Sequence, residues 1–343
     1  MISVSVAMAT YNGQKHILRQ LESLAAQSHI PAELVVTDDN SQDGTIEIVN
    51  HFAKTSPFPI NVYRNDTRLG YIANFMRAAS LCRSELIAFC DQDDYWYPCK
   101  IAASIEPFND PEVLLAYHNA DVVTGEGRRI GSLAAYSVEP SITMPLSLNP
   151  WWPTALGCTE IFRRSLLDLS YLQPKSKSPH DCSKPLAHDQ WFFILASVFG
   201  KLAYLDEPLS AYVQHGGNIL GLRTETFRNS LETFFRNPSD ELHHYTEATK
   251  TQAMIFEIAK GRLNGVWAVR AAAAAEFFQM MACLYTKRRD LYSSTNIHDR
   301  LKAFGAVFWK QGYTATWGFG RRSFVKDACL GILIGHLLRP NII

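Results

Sequence analysis

The chain of 343 residues carries 33 Lys and Arg against 33 Asp and Glu, so no overall field recruits nucleic acid, and its partners are sought among small ligands and local surfaces. At 47% hydrophobic and 19% charged residues the composition is that of an ordinary globular protein, long enough for a large core and for two parts. Seven cysteines, at 82, 90, 99, 158, 182, 283 and 329, form no CxxC pair and no zinc spacing, which favours reduced, mostly buried thiols in a cytosolic setting. No apolar stretch reaches the roughly 18 to 20 residues that cross a bilayer, and Ile2, Val4, Val6 and Met8 alternate as in a strand rather than a signal peptide.

Residues 2–8 predict a first strand, which delivers the polar turn Ala9-Thr10-Tyr11-Asn12-Gly13, and Ile17, Leu18, Leu21, Leu24 and Ala25 then recur at helical spacing. A second apolar run, Leu34-Val35-Val36, ends in Asp38-Asp39-Asn40-Ser41-Gln42-Asp43-Gly44-Thr45, after which Ile46, Val49 and Phe52 mark a helix. Ser41 and Asp43 suit its N-cap. Asp38 and Asp39 come too early for that and lie at a strand's C-terminal end, where a carboxylate can accept hydrogen bonds from a ribose or a base. No GxGxxG is present, which argues against a dinucleotide.

Residues 60–63 read as a third strand leading through Arg64 to Gly70 into a helix with Ile72, Phe75, Met76 and Ala79. The fourth, Leu86-Ile87-Ala88-Phe89-Cys90, is an apolar run of the kind buried on both faces, and it ends in Asp91-Gln92-Asp93-Asp94. Alternation of strand and helix predicts an α/β protein with a doubly wound, mostly parallel sheet, so these strand ends converge on one crevice. Three acids within four positions repel one another, and hard oxygen ligands suit Mg²⁺ or Mn²⁺ holding a diphosphate. The alternative is a solvated acidic turn capping a helix that starts near Pro98.

Residues 113–117 and 121–124 suggest short strands, 133–153 an irregular functional loop or lid, and a helix begins near Arg163. Trp151 and Trp152 suit either a sugar face or a core plug. Asp189, in Ala187-His188-Asp189-Gln190-Trp191 before an apolar helix, is either an N-cap or a general base. After a strand at 201–204, His215 precedes Gly216 and Gly217, a neutral imidazole beside backbone that can approach a ligand closely. From about Arg223 the pattern turns helical: Phe227, Leu231, Phe234 and Phe235, then Met254, Ile255, Ile258 and Ala259, then residues 271–284, then Leu301, Phe304 and Val307. Residues 328–338, with Arg321, Arg322 and Lys326 before them, read as a membrane-surface helix or as a short helix packed on the domain.

The four ordered motifs Ala-Thr-Tyr-Asn-Gly, Asp-Asp-Asn-Ser-Gln-Asp-Gly-Thr, Arg-Leu-Gly and Asp-Gln-Asp-Asp resemble those of the family 2 glycosyltransferases, over residues 2 to about 221. The resemblance implies a GT-A, Rossmann-like catalytic domain at 1–222 and a helical region at 223–343 that packs on it, forms a homo-oligomer or touches a membrane surface. By motif, Thr10, Tyr11, Asn12, Asp39 and Arg68 would hold the nucleotide, Asp91 the ribose or metal, and Asp93 the metal, with Asp94 a second ligand. Asp189 would be the base, and His188 and Trp191 beside it would touch the acceptor. Tyr212-x-x-His215-x-x-Asn218 resembles the rhamnosyltransferase-like branch, which puts His215 on the diphosphate or metal, although Val213 stands where that branch often has Arg. The implied reaction moves a sugar with inversion from a nucleoside-diphosphate sugar, dTDP-rhamnose before a UDP-hexose, to a hydroxyl of a saccharide or lipid-linked acceptor in cell-surface polysaccharide synthesis. Its implied location is the cytoplasm, with attachment to the inner face of the plasma membrane left open. A sugar nucleotidyltransferase lacks support, because no glycine-rich loop with Arg and Lys lies near the N-terminus; an inactive nucleotide-sugar-binding or scaffold protein would not need Asp189.

Overall fold

The computed structural model describes residues 2–133, 141–149, 151, 155–215 and 235–338. They fall into two compact units: Met1–Met144, Pro153–Ser170 and Ala187–Leu222 form one, and Pro145–Trp152, Tyr171–Leu186 and Arg223–Ile343 the other. Two stretches inside the expected first domain, 145–152 and 171–186, thus cluster with the helices.

Among the described residues the first unit is built on a ten-stranded sheet. Strands β1 (Val4–Thr10), β2 (Glu33–Asp38), β3 (Ile60–Arg64) and β4 (Leu86–Asp91) lie in the order β3-β2-β1-β4, all parallel. Between them run α1 (Ile17–Ala25), α2 (Thr45–Phe52) and α3 (Tyr71–Leu81), followed by α4 (Lys100–Ile105). All of β1 is buried, as a continuous apolar strand at the centre of a two-faced sheet requires. On one face Val4, Val6 and Met8 pack with Ile17, Leu21 and Leu24 of α1 and Val49 of α2. On the other, Phe75 of α3 meets Phe89 of β4, and Phe89 meets Phe162 and Phe192.

Beyond β4 the sheet becomes mixed. The order continues β9 (Glu160–Arg163), β6 (Val113–Thr124), β10 (Lys201–Gln214), β5 (Tyr95–Trp96), with β7 (Arg129–Ser132) on β6 and β8 (Ser141–Thr143) on β10. β9 is antiparallel to both β4 and β6. Three expectations change here. The two short strands expected at 113–124 are one, the strand expected at 201–204 runs on to Gln214, and the helix expected near Arg163 is β9 followed by a 3₁₀ segment, Arg164–Lys175. Four residues give β9 too little periodicity to be recognised, and its identity comes from strands far away in sequence. The helix α5 (His188–Phe199) covers this part of the sheet.

The helical unit contains α6 (Ser239–Lys260), α7 (Gly265–Ser293), α8 (Ile297–Trp309) and α9 (Gly320–Lys326). Stacked rings join α6 to α7, Tyr245 to Tyr285 at 5.2 Å and Phe256 to Phe278 at 5.4 Å. Trp151 is buried in this unit, its ring 6.0 Å from Phe278 and its indole N–H donating to Thr249 Oγ1 at 3.0 Å, so it is the core plug and not a sugar platform. Trp152, Gly216, Gly217, Asn218, Phe227, Leu231 and Phe234 lie outside the described residues. The single helix envisaged at 328–338 is broken into a π turn, Asp327–Gly331, a short helix, Ile332–Ile334, and a 3₁₀ turn, Gly335–Leu337. No described helix is long and apolar enough to cross a membrane. The cysteines are free, but only Cys82, Cys90 and Cys158 are buried, fewer than expected, while Cys99, Cys283 and Cys329 are exposed.

Candidate active site

Parallel register sets the C-terminal ends of β1, β2 and β4 side by side, with Thr10 opposite Asp38 and Ala9 opposite Asp91. The loops leaving these ends are knitted together. Buried Asp38 accepts from Thr10 Oγ1 at 2.8 Å, from Ser41 N at 2.8 Å and from Ser41 Oγ. Ser41 Oγ in turn accepts from Asn12 N at 2.9 Å, and Asn12 Oδ1 accepts from Gln42 N at 2.9 Å. Ser41 is therefore a bridge between loops rather than the helix cap expected of it, and Asn12 takes a left-handed conformation, φ 48°, that Asn tolerates. Gln92 holds the third loop: its amide oxygen accepts from Tyr11 N and its amide nitrogen donates to Tyr11 O, both at 3.0 Å.

Asp39 is buried, and its carboxylate takes Leu69 N at 2.6 Å, Gly70 N at 2.8 Å and Asn65 Nδ2 at 3.0 Å. It anchors the loop that carries Arg68, whose guanidinium lies over the Tyr11 ring at 4.0 Å. Among the five residues expected to hold a nucleotide, Tyr11 and Arg68 form an exposed stacked pair, while Thr10, Asn12 and Asp39 commit polar atoms to the loops that shape it.

The acidic motif divides in two. Ligand atoms of Asp91, Asp94 and Cys158 lie within 4.8 Å of one another. Asp93 instead meets His215, Oδ2 to Nε2 at 2.8 Å, and the His215 ring stacks on His16 at 4.6 Å. Asp94 Oδ1 accepts from Val213 N at 3.1 Å, the Cys158 thiol is a further partner of this carboxylate, and the buried Oδ2 has no N–H or O–H donor among the described residues. Burial, then the neighbouring Asp93, pushes the Asp94 carboxyl up to about 7; burial, then Asp94 and Asp93, raises Asp91 well above the usual carboxylate range. None of these acids caps α4, whose N-cap Cys99 makes no side-chain capping bond, so the acidic-turn reading lapses.

Beneath the acids lies Lys100, fully buried, its ammonium 3.6 Å from the centroid of the Trp96 ring and donating to the Cys158 carbonyl. Burial holds its pKa down to about 8. This single cation does not balance three acids, and the unpartnered Asp94 Oδ2 fits a second, divalent one of the hard, oxygen-seeking kind.

Asp189 sits in the first turn of α5, whose N-cap is Ala187 without a side-chain cap, so Asp189 is not the cap. Its Oδ1 accepts from Gln190 N at 2.8 Å and its Oδ2 from Gly157 N at 3.2 Å. A Cβ at position 157 would stand 2.8 Å from His188 Nε2, so glycine lets the chain pass this closely under α5. The Asp189 charge is among those that raise Asp91, which places it near the acidic cluster. The neighbours expected to touch an acceptor face inward. His188 is buried against Phe75, at 4.0 Å, and Phe89, at 4.6 Å, with neither ring nitrogen partnered; Trp191 is wholly buried. Eleven of the twelve α5 residues are buried, so no polar face exists to turn either ring outward.

Two residues escaped the sequence reading. Lys100 carries no signal, since an isolated lysine at the head of a helix is normally solvated. Glu160, on β9, has both carboxylate oxygens buried without partners among the described residues, and burial, then Asp189, pushes its carboxyl well above the usual carboxylate range. No local pattern marked it, because the four residues of β9 carry too little periodicity to be read as a strand.

The family model described as glycosyl transferase family 2 matches residues 5–169. Over 221 residues the chain is 25% identical to the uncharacterized protein Rv1520 of Mycobacterium tuberculosis, covering 63% of this chain and 60% of that protein, so it spans about three fifths of that relative's length. It is 26% identical over 220 residues to the dTDP-rhamnosyl transferase RfbG of Shigella flexneri, covering 62% of this chain and 73% of the relative. The crystal structure of S. aureus TarS 1-349 in complex with UDP-GlcNAc superposes with a TM-score of 0.50 at 18% identity, covering 91% of this chain and 93% of that one, a likeness of fold.

Proposed function

The chain belongs to glycosyl transferase family 2, and from that premise we propose that it is an inverting glycosyltransferase of cell-surface polysaccharide synthesis, moving a sugar from a nucleoside-diphosphate donor to an acceptor hydroxyl on a saccharide or lipid-linked substrate. The observation that carries this reading is a carboxylate, Asp189, fixed by two backbone amides near the acids at the strand ends of the same sheet. A base and a leaving-group site then share one crevice. Asp189 takes the acceptor proton as the hydroxyl oxygen bonds to the anomeric carbon and the bond to the diphosphate breaks, a role that contributes roughly 10²- to 10⁴-fold. One displacement without a covalent intermediate inverts the anomeric centre.

Asp91, Asp93 and Asp94, with His215 against Asp93, would hold Mg²⁺ or Mn²⁺, which when bound would offset charge on the departing diphosphate. The exposed Arg68–Tyr11 pair offers a cationic, aromatic edge for the nucleotide. dTDP-rhamnose is the first donor of choice, supported by the 26% identity to RfbG, and a UDP-hexose the second. The reaction belongs on the cytoplasmic side of the envelope.

The test is release of nucleoside diphosphate from UDP-, GDP- and dTDP-sugars, with Mn²⁺ or EDTA, for the natural chain, Asp93→Ala and Asp189→Ala. We expect one donor to be consumed in a metal-dependent way and both substitutions to lower the rate by roughly 10²-fold or more, with Asp189→Ala still binding the donor. Consumption of none, with no nucleotide-induced rise in melting temperature, would put a binding or scaffold role in its place.

A further inference from the structure

Among the described residues of the helical unit, exposed apolar side chains gather on α8 and on the segment after α9. On α8, Ile297, Leu301 and Phe308 recur at helical spacing and are each 45% exposed or more, while Ala303 and Val307 on another side are buried. Trp309 follows them, 82% exposed. The segment after α9 adds Leu333 and Leu337, at 61% and 69%. Two contacts join these pieces. The Arg300 guanidinium donates to the carbonyl oxygens of Ile332 at 2.8 Å and Leu333 at 3.2 Å, which lays that segment along α8, and the Phe308 ring sits 6.2 Å from Phe324 of α9.

Charge selects the occupant. Across residues 297–338 the exposed basic side chains are those of Lys302, Lys310, Arg321 and Arg322, the exposed acid is Asp299, and Asp327 is buried. A second copy of the same surface would bring like charges together, whereas anionic headgroups complement it. We propose that this surface docks in the plane of an anionic phospholipid bilayer. The apolar side chains enter the boundary between headgroups and acyl chains, the Trp309 ring sits at the polar interface, and Lys302, Lys310 and Arg321 meet phosphates. That no described helix can cross a membrane fits a helix lying along one.

The inference deepens the glycosyl-transfer reading by putting the chain where a lipid-linked acceptor would be, and the two are read separately, one by vesicle binding and the other by nucleotide release in solution. The full chain is floated with vesicles of phosphatidylcholine alone or mixed with phosphatidylglycerol. We expect it to rise with the mixed vesicles only and to be released by salt. Lys302→Gln with Arg321→Gln should weaken partitioning by roughly 30-fold. Leu301→Ser with Trp309→Ser should abolish it, with melting temperature and nucleotide release unchanged. Absence of flotation, salt-independent flotation on phosphatidylcholine, or a solution dimer that Leu301→Ser with Trp309→Ser dissociates would each overturn the proposal, the last by assigning the surface to a second copy.

Discussion

Glu160 shares the α5-covered face of the sheet with Phe162, two positions on, because strand residues alternate. Burial, then the Asp189 charge, raises its native pKa well above the ordinary 4.5 that the unfolded chain keeps. Above that pH the native state holds a proton that the unfolded chain has released, so stability falls as pH rises toward the native value, by about 1.4 kcal/mol per pH unit. Glu160→Gln keeps the shape and removes the titration. Urea midpoints between about pH 5 and about pH 7.5 should drop for the natural chain and drop less for Glu160→Gln, which should be the more stable of the two at neutral pH. Parallel midpoints would place the Glu160 carboxyl at its ordinary pKa. At this scale the sequence marked Asp91, Asp93, Asp94 and Asp189 through their place in the motifs, but not Lys100 or Glu160, whose significance is their burial.

Among the elements, the loops at the strand ends matter most. Asp39 spends its oxygens on Leu69 N, Gly70 N and Asn65 Nδ2 at the head of α3, an arrangement that fixes Arg68 over Tyr11. Asp39→Asn replaces an acceptor oxygen with a donor facing an amide. It should cost about 1 to 3 kcal/mol of stability and raise KM for the donor several-fold with little change in kcat. Thermal melts and initial rates over a donor series measure both; a melting loss with KM unchanged would make Asp39 a purely structural anchor. The alternation of strand and helix through β4 was legible because every βαβ unit there is local. β9 was not, since its partners lie at residues 86–88 and 115–117, and nothing in four residues encodes so distant a pairing. Ser41 was misread for a related reason: its oxygen bonds to Asn12 N across the sheet edge instead of capping the helix beside it.

Over the whole molecule, each unit has its own way of closing. The sheet unit closes with apolar side chains on both faces of β1 to β4. The helical unit adds a buried charged centre: Asp327 accepts from Arg288 Nε at 2.6 Å and Nη2 at 3.1 Å, and from the hydroxyls of Tyr292 and Tyr313, each at 2.7 Å. Asp327→Asn leaves the Arg288 cation buried without its counter-charge and should cost about 3 to 5 kcal/mol in chemical denaturation; a loss within about 0.5 kcal/mol would mean that water already screens the pair. By itself the sequence carried the resemblance to glycosyl transferase family 2, the parallel arrangement of the first strands and the motifs at their ends, because these depend on short-range periodicity and on consecutive residues. Only the tertiary structure decided that Thr10, Asp38, Asp39 and Ser41 form the walls while Tyr11 and Arg68 face outward. It also decided that His188, Trp191 and Trp151 are core, that Lys100 and Glu160 are buried, and that α8 keeps apolar side chains exposed. Burial and hydrogen-bond partnership are properties of residues distant in the chain, and no local pattern fixes which of them meet.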